Sequence, residues 1–428
     1  MSVARKLYNN TFNEKTTCCG CEACVQICPK KAITMQEDDE GFSYPVVDNG
    51  LCVECGLCEK VCQYEFVVPK NTEKQNAYGG HINDDKVLNE STSGGAFSAI
   101  VDTWCDKDYV IFGARSDGLR VWHSHITDKN ELGIFRRSKY SQSIIGNSYS
   151  GVKEYLAKGK KVLFSGTPCQ VAGLKAFLRN KDYNNLLTIE VICEGVPSPL
   201  FVRKLEEKIL KEQNASIKLL DYRYKDTNKW DYEVMNISYS SLHNPASGTI
   251  KCDRWFNPFW PIWLSHLMSR PSCYKCLYTT SNRVADISLG DLWGVHIFCP
   301  DLYNSDKGAS LIVANTAKGN DAVQKAKQQN FIGRELDFSQ ALKYQGPMRK
   351  SISENPKRED FMKDLHLMDY DSLCKKWAKK SSIKLLISKY IFGTNRQKVW
   401  WWKVKNNFYK KINYVLLKSK GRKSFQDI

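Results

Sequence analysis

The stretch from Cys18 to Cys62 constrains this chain more than any other. It reads Cys18-x-x-Cys21-x-x-Cys24-x-x-x-Cys28-Pro29, then Cys52-x-x-Cys55-x-x-Cys58-x-x-x-Cys62. Three thiolates, each pair separated by two residues, can wrap one iron–sulfur cube in a tight loop, and the fourth of each run reaches the neighbouring cube. The spacing therefore assigns Cys18, Cys21, Cys24 and Cys62 to one 4Fe-4S cluster, and Cys52, Cys55, Cys58 and Cys28 to a second. A pair of structural zinc sites is the competing reading, but zinc needs four ligands and has no use for this third and fourth position. Gln63 stands where the second run often carries Pro. It weakens a turn preference and removes no ligand.

The chain has 428 residues, enough for two or three domains around a sizeable core. No run of about 18 apolar residues occurs, so no membrane span is expected. The opening MSVARKLYNNTFNEK has no apolar signal core, so export is not expected. Seventeen cysteines in an unexported chain argue for metal ligation over disulfides. A reducing cytoplasm suits exposed clusters. The net charge of +17 is concentrated at the C-terminal end. From Lys375 to Ile428 sixteen Lys and Arg face one acidic residue, Asp427, leaving the body near neutral.

Between the two cysteine runs, Ile33-Thr34-Met35 and Gly41 to Val47 read as a small hairpin covering the clusters. Asn71 to Gln75, polar and just after Pro69, reads as a linker. Ser91-Thr92-Ser93-Gly94-Gly95 then feeds an apolar helix over Ala96 to Trp104. Such a turn can offer backbone N–H groups to an anion such as a cofactor pyrophosphate, or it can be an ordinary glycine-containing cap. Tyr109 to Ala114 and Val121 to Ile126 read as strands. His123 and His125 share one face of the second and read as structural or surface residues. Arg136 to Ser143 is basic and hydroxyl-rich, suited either to phosphate or to solvent.

Lys161 to Phe164 reads as a buried strand ending at Ser165-Gly166-Thr167-Pro168-Cys169. Val171, Leu174, Phe177 and Leu178 follow at helical spacing. A second strand, Leu186 to Ile192, ends at Cys193-Glu194-Gly195. A β-α-β unit makes the two strands parallel, which places Cys169 and Cys193 at the same sheet edge, where ligands bind in such folds. Cys273-x-x-Cys276 precedes a further strand at Ala285 to Leu289. Alone that pair reads as a redox pair or half a zinc site. With Cys169 and Cys193 it completes four thiolates, a third 4Fe-4S set. The competing role for Cys169 is a nucleophile, but no well-placed general base accompanies it. Cys19, Cys105, Cys252, Cys299 and Cys374 have no partners at ligand spacing and read as core or incidental.

From about Asp371 the chain alternates basic and apolar groups. Ile383, Leu386, Ile387 and Tyr390 fall on one helical face among Lys379, Lys380, Lys384 and Lys389, and Trp400-Trp401-Trp402 and Phe408-Tyr409-Lys410-Lys411 follow. A basic amphipathic helix with interfacial aromatics suits an anionic membrane surface. Docking on the body is the second reading. Nucleic acid, through stacking on the aromatics, is not expected.

Taken together, STSGGAF at 91–97, KYSQS at 139–143, VLFSGTPCQ at 162–170, ICEGVPS at 192–198, RPSCYKC at 270–276 and ADISLGDLWG at 285–294 give a recognisable order. The chain resembles the coenzyme F-420 hydrogenase/dehydrogenase beta-subunit family, preceded by a dicluster ferredoxin module. The resemblance implies an iron–sulfur flavoprotein. It implies FAD beside a 4Fe-4S cluster held by Cys169, Cys193, Cys273 and Cys276, and nominates Ser93, Gly94, Gly95, Lys139, Gln142 and Ser143 for the FAD site. Glu194 stands where many relatives have His, and a carboxylate there disfavours the reduced cluster. Forms with this dicluster front and basic tail look like those associated with bacterial surface-polysaccharide synthesis.

The expected fold is α+β or α/β. A ferredoxin-like module covers residues 1–70, a flavin-binding region 76–155, a region with the third cluster site 156–350, and a basic helical tail 371–428. The expected protein is a cytoplasmic oxidoreductase with three 4Fe-4S clusters and FAD. It takes electrons from ferredoxin or another redox partner to a small-molecule substrate, and its tail offers a peripheral membrane contact. The alternative is an electron-transfer subunit that feeds a partner enzyme and has no substrate of its own.

Overall fold

The computed structural model describes residues 15–64, 68–225, 230–241, 247–303, 307–391, 393 and 396–419. The reading of residues 1–14 as lacking a signal, and the last nine residues of the tail, lie outside these. The N-terminal module contains the short helix α1 (Ala23–Ile27) and strands β1 (Ile33–Glu37) and β2 (Ser43–Val47). The strands form the expected antiparallel hairpin, with Ile33 opposite Val47. Gly41, at φ +83°, lies so close to Pro199 that a Cβ would stand 2.8 Å from its ring. The Glu40 carbonyl accepts the Ser198 hydroxyl at 2.7 Å, and the Glu40 carboxylate takes a two-pronged bond from Arg358. The hairpin is thus fastened at its turn.

The remaining strands are β3 (Asn76–Ile82), β4 (Tyr109–Asp117), β5 (Arg120–Ile126), β6 (Lys161–Gly166), β7 (Leu186–Val191), β8 (Ala215–Tyr224), β9 (Val234–Ser241), β10 (Ser247–Cys252), β11 (Ile287–Asp291), β12 (Ser310–Ala314) and β13 (Phe331–Leu336). Eight of them make one mixed sheet in the order β13-β3-β12-β11-β7-β6-β4-β5, and β10-β9-β8 make a separate antiparallel sheet. The parallel centre is β4, β6, β7 and β11. The expected β-α-β unit is therefore present, its strands joined through helix Pro168–Phe177. The large sheet draws strands from both the 76–155 and the 156–350 regions.

Side-chain alternation covers this sheet on both faces. Ile111, Leu163, Leu187, Ile189, Ile287 and Ile312 point to one side, where α2 (Ala96–Trp104) and a later helix, Ala317–Gln329, pack. Val110, Phe112, Val162, Phe164 and Leu186 point to the other, against α3 (Ser148–Ala157) and α4 (Pro168–Phe177). Ala23 and Val61 of the N-terminal module join that second core, so the module packs directly on α4. His123 is buried, stacks on Phe164 and bonds the Ser165 carbonyl at 2.9 Å, while His125 is exposed. Burial lowers the His123 pKa to about 4.

Two segments differ from their sequence-based reading. Asn71 to Gln75 is no loose linker. The Asn71 side-chain amide donates to the Ala285 carbonyl at 2.8 Å, and the Gln75 amide donates to the Ser281 carbonyl and Asn315 Oδ1. Helix Tyr370–Trp377 belongs to the body, since Leu373 is fully buried in the core with Phe201 and Phe361. An apolar i, i+4 pair, Leu373 and Trp377, draws this part of the tail inward.

One buried ion pair fixes the central edge. Glu190 on β7 is 0% exposed and Arg283 is 2% exposed. Arg283 Nε donates to Glu190, and its Nη1 donates to the carbonyls of Tyr278 and Thr280. The same carboxylate accepts the Ser288 hydroxyl at 2.7 Å. Removing one member of such a pair strands a buried charge. Arg283→Leu is expected to lower unfolding free energy by about 3–5 kcal/mol, measured by denaturant unfolding, while a surface change such as Lys158→Ala moves it by under about 0.5 kcal/mol.

Candidate iron–sulfur centre

The two cysteine runs fold into two thiol-lined hollows. Cys18, Cys21, Cys24 and Cys62 line the inner one with Met35 and Pro45. Cys28, Cys52, Cys55 and Cys58 line the outer one with Ile33, Val47 and Leu57. Each run thus contributes its fourth cysteine to the other hollow, as the spacing required. Gly20 and Gly56, both at φ +67°, turn the chain between the thiols of their loops. The Ala32 N–H points at Cys28 Sγ from 3.3 Å. Among the described residues no three His, Cys, Asp or Glu converge on a point the size of a single ion. The thiols surround space, and four soft donors around a hollow fit a 4Fe-4S cube. Cys18 of the inner set is buried and Cys21, Cys24 and Cys62 are half-buried, whereas Cys55 of the outer set is exposed beside Leu51 and Val53.

The third set is assembled at the carboxyl ends of the parallel strands. Thr167 caps α4 reciprocally with Gln170, which places Cys169 in the first turn after β6. Cys193 follows β7. Cys273 and Cys276 sit on and just after the short helix Pro271–Tyr274. The four thiols lie close enough to influence one another electrostatically. Burial raises the pKa of Cys193, and the nearby Cys273 and Cys169 raise it further. Cys273 is pushed up to about 12 and Cys276 to about 11, burial first and neighbouring thiols next. Gly195 closes the group. Its N–H meets Cys193 Sγ at 3.4 Å, its φ is +109°, and a Cβ there would lie 3.4 Å from Cys273 Cβ. Glu194 is mostly buried and desolvation raises its pKa.

The inner and third sets meet at a seam that sequence reasoning missed. Cys19, read above as incidental, lies between Cys169 and Cys21. Its pKa is raised first by hydrogen bonding to Cys169 and next by hydrogen bonding to Cys21. Gln63 is 1% exposed. Its amide reaches Cys19 Sγ at 3.2 Å and the Cys169 carbonyl at 2.9 Å. The Gln in place of Pro is therefore a tie between the two sets. Gly173 of α4 leaves room for Cys21, since a Cβ would come within 2.9 Å of it. Glu22 completes the docking by accepting the N–H groups of Ile145 and Gly146 at 2.9 and 2.8 Å. The available signal for Cys19 was its place inside the first run, which ligand spacing discounts.

The six residues nominated for FAD fall into two groups. Ser93, Gly94 and Gly95 form the turn into α2. The Ser93 hydroxyl donates to the Ala309 carbonyl, and the Gly94 N–H donates to Ser310 Oγ. Gly95 takes φ +75° to start the helix. Arg136, Arg137 and Lys225 stand around this turn through Ser98, Glu90 and the Ser93 carbonyl. Arg136 and Arg137 are also ion-paired with Glu90 and Asp221, so these carboxylates share the positive charge beside the helix N-terminus. Lys225 was not nominated; burial lowers its pKa to about 7. Lys139, Gln142 and Ser143 are engaged elsewhere. Lys139 Nζ donates to the carbonyls of Phe135, Arg136 and Arg137, and burial brings its pKa to about 7. Gln142 donates to the carbonyls of Cys19 and Gly20. Ser143 Oγ bonds His123 Nδ1 and accepts from Gln170.

Comparison with known proteins identifies two segments. Residues 159–335 match the family model for the C-terminal part of the coenzyme F420 hydrogenase/dehydrogenase beta subunit. Residues 17–66 match the 4Fe-4S dicluster domain. No curated protein matches the chain. Among solved structures, a chain of the xenon-derivatised F420-reducing [NiFe] hydrogenase complex from Methanosarcina barkeri matches at 15% identity. The match covers 72% of this chain and 92% of that one, with a TM-score of 0.37. The resemblance read from the sequence therefore holds, and the chain is an iron–sulfur electron-transfer protein related to that beta-subunit family.

Gly195 gives a direct check on the third thiol set. Gly195→Ala forces an L side chain into a conformation it rarely adopts, against Ile352 and beside Cys273. A third cluster at these thiols predicts that anaerobically prepared Gly195→Ala loses about a third of the iron, with the spectrum of the two N-terminal clusters kept. Unchanged iron content would separate Gly195 from the metal.

Proposed function

We propose that this iron–sulfur chain is an oxidoreductase with three clusters in series, the outer and inner N-terminal sites and a third held by Cys169, Cys193, Cys273 and Cys276. It delivers electrons to FAD and an organic substrate. The seam at Cys19 and Gln63 is the observation that carries this reading. It sets the inner thiols against the third thiol set with no intervening domain boundary. When bound, the clusters supply single-electron carriage, and FAD supplies the conversion of two such electrons to a hydride.

The chain's own residues divide the task. Leu51 and Val53, exposed beside Cys55, present an apolar rim where ferredoxin or another redox partner can dock. Gln63 and Glu22 fix the N-terminal module against α4. The turn at Ser93 to Gly95, with Arg136, Arg137 and Lys225, orients an anionic cofactor. The resemblance to polysaccharide-associated forms supports a sugar-linked or other cell-surface precursor as the substrate class. The family description, a beta subunit, favours a second reading in which a partner enzyme receives the electrons.

Iron and flavin analysis of anaerobically purified protein tests both. About twelve irons and about one FAD per chain are expected. About twelve irons without flavin, together with a stably copurifying enzyme, selects the second reading. About four irons and no flavin would end both.

The tail is proposed as a peripheral contact with an anionic membrane surface. Among the described residues no helix is long and apolar enough to cross a membrane. Helix Arg396–Ser419 exposes Trp400, Trp401, Phe408 and Tyr409 beside the exposed Lys403, Lys405 and Lys411. Helix Ile383–Tyr390 instead touches the body, with the Tyr390 hydroxyl on Asp253 and Lys389 over Trp255. Truncation after Gly393 is expected to abolish cosedimentation with anionic vesicles and leave iron content unchanged. Binding of the full chain should weaken as salt rises.

A further inference from the structure

Arg270 ligates no iron, yet it is 1% exposed, the largest fully buried side chain among the described residues. A guanidinium taken from water needs a counter-charge. Its hydrogen bonds go to uncharged oxygens: the Cys18 carbonyl at 3.0 Å, the Ser43 carbonyl at 3.0 Å and Gln142 Oε1 at 2.8 Å. Its plane covers the Tyr44 ring at 4.3 Å. Among the described residues no carboxylate forms an ion pair with it. Thiols from both sides of the seam lie near it. Cys18 Sγ is 4.0 Å from Nη2, Cys273 donates its N–H to the Arg270 carbonyl at 2.9 Å, and Cys19 and Cys273 act on the guanidinium electrostatically. The outer thiols lie outside this group. They have Lys30 at their rim and Glu59 beside Cys58, and they open to solvent.

A cluster gains negative charge when it accepts an electron. A fixed cation a few ångströms away in a low-dielectric interior favours that reduced form, as it favours any anion. We infer that Arg270 is the counter-charge shared by the inner and third cluster sites, and that it holds electrons on this pair in preference to the outer site. The inference rests on the three-cluster reading above and adds a direction to it. Gln142, nominated above for FAD, becomes the residue that positions Arg270. Its Oε1 accepts from Nη1 while its amide holds the Cys19 and Gly20 carbonyls.

The test is potentiometric titration of the full, cluster-loaded chain followed by electron paramagnetic resonance. Arg270→Gln removes the charge. It is expected to shift two of the three one-electron couples downward by about tenfold in reduced-to-oxidised ratio, about 59 mV each, and to leave the third in place. Arg270→Lys keeps the charge and is expected to restore most of the shift, which a purely structural role would not do. If Arg270→Gln fails to hold its iron, Gln142→Glu sets a carboxylate against Nη1 and is expected to move the same two couples in the same direction. All three couples moving together, or none moving, in a variant with full iron overturns the inference. Fewer than about twelve irons in the unaltered protein overturns the three-cluster reading instead, a separate failure.

Discussion

The arrangement depends on the buried pair of Glu190 and Arg283. Glu190 is the last inward-pointing residue of β7 before Cys193. Arg283 holds the carbonyls of Tyr278 and Thr280, just past Cys276. The pair therefore sets the distance between the end of a strand and a loop some ninety residues later. Neighbouring bonds reinforce it. Asp286 accepts both the backbone N–H and the hydroxyl of Thr188, and Lys175 of α4 donates to the Val284 carbonyl. Three segments carrying Cys169, Cys193 and Cys276 are thus locked by charges and amides lying wholly inside the protein. Such bonds are strong there because no water competes for them.

The N-terminal module is attached by the same logic on a smaller scale. Its core residues Ala23 and Val61 extend the apolar face of α4. Polar ties then select one docking orientation: Glu22 on the 145–146 backbone, Gln63 on the Cys169 carbonyl, and Glu40 on Arg358. Apolar contact alone tolerates sliding, whereas directed bonds to backbone groups do not. Two thiol sets held at a fixed separation need the second kind of contact as well as the first.

Local signals made much of this legible in the sequence. Cysteine spacing grouped the eight N-terminal thiols, and apolar runs at strand length located β4, β6 and β7. A helix bounded by two such strands placed Cys169 and Cys193 on one edge. What stayed hidden is non-local. β3 pairs with β12 and β13, partners more than two hundred residues away, and no local pattern specifies such a partner. The β8-β9-β10 sheet was not anticipated, because its third strand, Ser247 to Cys252, is largely polar and exposed. Strand β11 begins at Ile287, two residues later than its apolar run suggests, since Asp286 turns its carboxylate to Thr188. Cys19 and Gln63 escaped for a related reason. Their importance comes from which surface docks on them, and ligand spacing carries no information about that.

The exposure of Cys55 has a cost. A thiol set open enough for a protein partner to approach is open to dioxygen as well, and an oxidised cube at such a surface loses iron first. None of the inner or third thiols is as exposed as Cys55. Damage in air should therefore run from the outside in, and it would disconnect the chain from its donor while its interior stayed intact. A protein built this way wears out at its point of contact, which ties its working life to how well that rim is covered by its partner.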